Sequence, residues 1–219
     1  MSRKEKYEML GKACLSLNPI TGFFSSIWND YDNKFRDERI KKLNNELNEI
    51  KESLEKLITT DKIKDCQFYF FVEEALNKFV HERTKEKRYA YRCCILNCAT
   101  FKMSDYDYDM ADKILKILDS ITRTELIVLY IFKDIKAIQH AHSHNDQCFK
   151  LINEICEQTH LSEDQLYSVT KSLESNYLLE KFSALIGRKK GVVGIVDFSG
   201  NKYITELGEQ LLKYIIRVD

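Results

Sequence analysis

Three stretches of this chain hold side chains whose types and spacing fit a chemical task. The first is His140-Ala141-His142-Ser143-His144, followed by Cys148. On a helix His140, His144 and Cys148 would share one face at i, i+4 and i+8, and imidazole and thiolate are ligands for zinc or nickel. In a loop, as Ser143, Asn145 and Asp146 indicate, the same cluster is merely polar and solvated. No second ligand group stands at a recognisable spacing, so no metal or other cofactor is expected.

The second stretch carries Lys78, Arg83, Lys85, Lys87, Arg88 and Arg92 against Glu82 and Glu86, with Tyr89 and Tyr91 interleaved. Cations and aromatic rings together would track a phosphate backbone while stacking on bases. The plainer alternative is the solvated face of a helix. The third is Cys93, Cys94 and Cys98, whose thiols would be acidified by Arg88 and Arg92 in a redox sensor. Cysteine is also among the most often buried residues, and Cys-Cys-Ile-Leu-Asn-Cys-Ala reads as a core face.

Several chemistries are missing. With no glycine between Gly22 and Gly187 there is no Gly-rich phosphate loop in that stretch. Gly-x-Ser-x-Gly, His-Glu-x-x-His, Cys-x-x-Cys and kinase signatures do not occur. The acids Asp107 and Asp109 sit in a polar segment that reads as a boundary. No catalytic constellation and no small-molecule substrate is expected.

The elements that position these groups follow from composition. The chain has 219 residues, 44% hydrophobic and 31% charged, which suits one large or two small soluble domains. Its formal net charge is zero, so attraction to nucleic acid or anionic lipid must come from local patches. The odd number of cysteines, seven, and an N-terminal apolar run broken by Lys12, Asn18 and Pro19 predict reduced thiols in a cytoplasm and no membrane span. Glycine and proline are both absent between Gly22 and Gly187, which predicts a mainly α body.

Along the chain, Asn18–Gly22 reads as a turn. Phe23, Phe24, Ile27, Trp28, Tyr31 and Phe35 form an aromatic stripe at helical spacing, for a helical core or, alternatively, a membrane surface. Ile40, Leu43, Leu47, Ile50, Leu54 and Leu57 alternate spacings of three and four, a heptad seam for an intramolecular hairpin or a homodimer. One long helix is expected from Lys62 to about Thr100, with Phe68, Phe70, Phe71, Val72, Leu76, Phe79 and Val80 as a wide apolar face packing on both earlier helices. Ser104–Asp109 is the expected boundary between a helical hairpin or bundle, residues 1–103, and a second domain, residues 105–219. Within the latter, helices are expected over Tyr106–Asp119, Leu126–Ile138 and Phe149–Gln158. Thr122/Glu125 and Ser162/Gln165 are spaced as capping boxes, the second opening another helix.

That last helix carries Leu166, Val169, Leu173 and Tyr177 at core spacing, and two apolar strands, Leu178–Ile186 and Val192–Phe198, are expected after it. Gly187-Arg188-Lys189-Lys190-Gly191 would join them, and Tyr203–Leu212 reads as a short strand running into a closing helix. The order resembles a winged helix, and Ile204-Thr205-x-x-Gly208-x-x-Leu211-Leu212 is similar to the segment that follows the wing in MarR-like bacterial regulators. The resemblance implies a small β-hairpin and a recognition helix offering Gln165, Tyr167, Ser168, Lys171, Ser172 and Asn176. Gln165 or Asn176 would then pair with adenine edges, and Arg188, Lys189 and Lys190 would meet the backbone. Glu163, Asp164 and Glu174 make the same helix net acidic, which departs from a DNA reader and fits a protein-docking module. The N-terminal half loosely resembles uncharacterised helical proteins of bacteria and their mobile elements, a setting of phage–host conflict.

The expected function is a non-enzymatic adaptor or accessory subunit that docks a protein partner, or itself as a dimer. The alternative is a dimeric DNA-binding regulator, with the heptad seam as its dimer contact.

Overall fold

A computed structural model describes residues 38–58, 65–139, 145–180, 182–189 and 203–217, the side chains of 38–41, 134–139, 145–151, 185, 188 and 189 excepted. The aromatic stripe, His140–His144, Lys190 and the expected strand Val192–Phe198 lie outside the described residues, and so does the Cys148 side chain. The described part is mainly helical. Helix α1 spans Glu38–Leu57, α2 Cys66–His81, α3 Lys85–Thr100 and α4 Asp105–Ser120. Helix α5 spans Arg123–Gln139, α6 Asn145–Thr159, α7 Glu163–Ser175, α8 Phe182–Lys189 and α9 Glu206–Ile215.

The heptad seam forms the buried face of α1, with Leu43, Leu47, Ile50 and Leu54 buried and Leu57 half-buried. Its principal neighbour is α3, not the next helix in sequence. The seam thus faces the chain's own core.

The single helix expected over residues 62–100 is two. Asp65 caps α2 by accepting from the N–H groups of Gln67 and Phe68. The helix ends at His81, where Glu82 turns extended and its carboxylate accepts from Thr84 N–H at 2.8 Å and Thr84 Oγ1 at 2.9 Å. A local polar capping interaction thus breaks the helix with neither glycine nor proline. The break lets the apolar side of α2 pack on both α3 and α4.

At Ser104, where the sequence places a boundary, the chain passes directly into the next helix. Ser104 and Asp107 form the capping box that starts α4, and a single hydrophobic cluster runs from Leu43 to Ile215. Helix α9 packs on α3, and the Asn97 amide donates to the carbonyls of Lys213, Tyr214 and Ile216 at 3.2, 2.9 and 2.8 Å. These carbonyls at the helix end have no partner within α9, so the side chain supplies one.

Both further capping boxes are present. Glu125 N–H donates to Thr122 Oγ1 and Thr122 N–H to the Glu125 carboxylate, while Ser162 and Gln165 exchange the same pair of bonds. Helix α7 closes in a Schellman-type reversal, with Leu178 N–H donating to Leu173 O and Tyr177 N–H to Glu174 O. Tyr177, expected on the buried face, sits at φ 58° and is 75% exposed. The reversal buries Leu178 in its place.

The first expected strand, Leu178–Ile186, is not a strand. Leu179 makes a single antiparallel pairing with Ile204, and residues 182–186 of the run lie in α8. The short apolar run satisfied both periodicities, and its neighbours selected the helical one. Glu174 accepts from Ser183 N–H at 2.7 Å and Ser183 Oγ at 2.6 Å at the start of α8. Phe182 stacks edge-on against Phe132 at 4.5 Å and Tyr203 at 5.3 Å, and Ile186, one turn on, is fully buried. Arg188 and Lys189, expected in a wing turn, lie in the last turn of this helix.

Candidate binding cleft

Helices α2 and α4 each carry a second stripe beside their core face. On α2 it is Gln67, Phe70, Glu74, Asn77, Lys78 and His81; on α4 it is Asp105, Asp109, Asp112 and Asp119. Spacings of three, four and seven keep each set on one side of its helix. Packing of α2 on α4 brings the stripes together around a cleft of about 880 Å³, with Phe71 and Tyr108 at its inner wall. The Tyr108 hydroxyl donates to the Asp65 carboxylate, and Gln67 Nε2 donates to Asp105 Oδ1 at 3.2 Å, tying the N-terminal ends of the two helices together.

The two ends of the cleft differ electrostatically. At one end Asp119 accepts from Lys78 Nζ at 2.7 Å and from Tyr91 Oη at 3.3 Å. The Lys78 contact chiefly holds the Asp119 carboxyl below its usual range, against the opposing effect of burial. Glu82 is pushed up by burial, but its bonds from Thr84 and the Lys87 ammonium at 3.5 Å outweigh that and leave it lowered. Toward the other end Asp112 is raised, first by burial and then by the charges of Glu74 and Asp109, with Lys116 opposing. Glu73, Glu74, Asp109 and Asp112 form no ion pair among the described residues. The cleft therefore attracts positive charge, and the half-buried Phe70 is part of its lining. No group of three or more His, Cys, Asp or Glu among the described residues is placed to hold a metal ion.

The structure distributes the sequence candidates differently. Lys87 is buried, donating to Asp119 O at 3.1 Å as well as meeting Glu82. Arg88 forks onto Glu46 at 2.8 and 3.3 Å and also donates to the carbonyls of Glu82 and Arg83. Arg83 is exposed, as is Tyr89, while Tyr91 is buried. On α7, Gln165 is occupied as the partner of its own N-cap, and Asn176 Nδ2 donates to Ser172 O at the C-cap. Ser168 Oγ donates to Asp164 O at 3.0 Å. Tyr167 and Lys171 remain exposed on that helix, the latter 3.9 Å from Glu174. Cys93, Cys94 and Cys98 are free thiols in the core, and burial raises Cys93 despite Tyr89, Arg92 and Arg217. The core reading of this run holds, and an acidified sensor thiol is not what Cys93 is.

Sequence reasoning missed the cleft. Its signal was the acid spacing 105, 109, 112 on one helix and 74 on another, which gains meaning only once α2 and α4 are neighbours. No protein-family model, curated protein or solved structure matches this chain.

Proposed function

We propose that this chain is a non-enzymatic binding protein, an adaptor or accessory subunit that docks a protein partner. The observation that carries this reading is the concave α2–α4 cleft, which combines unneutralised carboxylates with an aromatic floor. Lysine and arginine side chains fit it, through charge-assisted hydrogen bonds at the rim and ring contact below. The occupant is therefore a basic segment of the partner.

The winged-helix reading of α5–α9 has topological support. The helix order and the Ser162 capping box support it, and Leu179 meets Ile204 in antiparallel fashion where a wing would begin and end. Helix α8, lying between them, departs from a plain hairpin. The alternative of a dimeric DNA-binding regulator draws less support, because the α1 seam faces its own core and Gln165 and Asn176 are engaged in caps.

Calorimetric titration of the full chain with a Lys/Arg-rich helical peptide tests the reading. Saturable one-to-one binding is expected, lost in a Glu74→Lys, Asp109→Lys variant and kept in a Glu154→Gln, Glu157→Gln variant on α6. Absence of binding at low salt, or equal loss in both variants, would overturn it.

A further inference from the structure

Lys85, Arg88, Tyr89 and Arg92 stand at i, i+3, i+4 and i+7, one face of α3. Lys87 and Tyr91 leave on the other side, into the core. Lys85 and Tyr89 are exposed, whereas the two arginines are covered by α1. Glu46 receives the Arg88 fork at 2.8 and 3.3 Å, and Glu49, one turn further along α1, receives Arg92 at 2.5 Å. Two carboxylates a turn apart thus occupy the places where successive phosphates would sit on a guanidinium pair.

We propose that α1 is a strap closing a binding strip for single-stranded nucleic acid on α3. Guanidinium groups spaced by one helical turn meet the backbone of such a strand, and Tyr89 beside them offers a ring for a base. The strap is built to open separately. Among the described residues its principal neighbour is α3, while α3 is also packed by α2, α4, α5 and α9. Elements with few partners open at lower free energy than the core they lie on. A strand that takes Arg88 and Arg92 displaces Glu46 and Glu49, so ligand binding and strap release are coupled. The strip lies on α3 and α1, and the inference does not depend on what the α2–α4 cleft binds.

The test uses the full chain and a labelled DNA single strand of about 20 nucleotides, read by fluorescence anisotropy at two salt concentrations. Glu46→Gln with Glu49→Gln loosens the strap without touching the core and is expected to tighten binding by about tenfold. Adding Arg92→Gln should cancel that gain, and Tyr89→Ala should weaken DNA but not heparin, a polyanion without bases. Hydrogen exchange should show the amides of residues 44–57 opening when DNA is added. The proposal is overturned by an unchanged affinity in the Glu46/Glu49 variant, or by an equal gain from Glu154→Gln with Glu157→Gln. Amides of α1 that exchange only together with α2 and α3 would sink the strap. Tighter binding that is indifferent to Tyr89 and equal for heparin would sink the nucleic-acid assignment.

Discussion

The side-chain amide of Asn97, in the middle of α3, donates to the carbonyl of Tyr214, 117 positions further along the chain. Three carbonyls at the end of α9 converge on that one amide. Asn97→Leu keeps the volume and removes the donor, leaving buried acceptors unsatisfied. A loss of about 2–3 kcal/mol is expected from urea unfolding. Asn97→Asp should cost at least as much, because a carboxylate cannot donate to carbonyls.

Gly208 is closely surrounded by the backbone of Leu178 and the side chain of Ile204. A Cβ there would lie 2.4 Å from Leu178 O and 2.8 Å from Ile204 Cγ2. Thr205 beside it caps α9 by accepting from Gly208 N–H at 2.9 Å, which fixes the helix start against that backbone. Gly208→Ala is expected to lower stability by about 3 kcal/mol, the range for overpacking, in the same unfolding measurement.

Tyr177 predicts the opposite sign. Its ring is exposed and its backbone left-handed, a conformation that costs a residue with a Cβ roughly 1–2 kcal/mol. Tyr177→Gly should raise the unfolding midpoint, by about 1 kcal/mol in free energy once the entropy of glycine is set against it.

Asp119 and Asp112 respond to pH in opposite ways. The Asp119 carboxyl is lowered in the fold by Lys78, so its stabilisation is complete above the unfolded carboxylate range. It is lost as pH falls through the folded value, and Asp119→Asn should flatten the acid limb of the stability curve. Asp112 is raised by burial, Glu74 and Asp109, so its ionised form weakens the fold at neutral pH. Asp112→Asn should therefore be more stable at pH 7, with the advantage shrinking as pH falls through the folded pKa and vanishing below the unfolded one. Urea titrations at a series of pH values read both.

Thiol labelling separates surface from core. Cys66 is exposed, while Cys93, Cys94 and Cys98 are buried, and burial raises the Cys93 thiol. Peptide mapping after a short iodoacetamide pulse should find Cys66 modified and these three protected until urea unfolds the chain.

What the sequence determined by itself was local. Ser104/Asp107, Thr122/Glu125 and Ser162/Gln165 are capping pairs three residues apart, and spacing alone sufficed to read the last two. The apolar seam of α1 and the absence of glycine and proline from Phe23 to Ile186 likewise forecast helices from within short windows. Tertiary structure decided everything that needed a neighbour. Glu82 and Thr84 broke a helix that propensity would have continued, and Glu174 with Phe132 and Tyr203 drew Phe182–Lys189 into a helix that alternation had read as a strand. The basic run on α3 divided into a buried Lys87 and two arginines held by α1, because charge in a sequence does not state which carboxylate will face it. The cleft arose the same way. Acids on α2 and α4 share a field only because both helices pack on one core, and that packing minimises exposed apolar area over the whole chain at once.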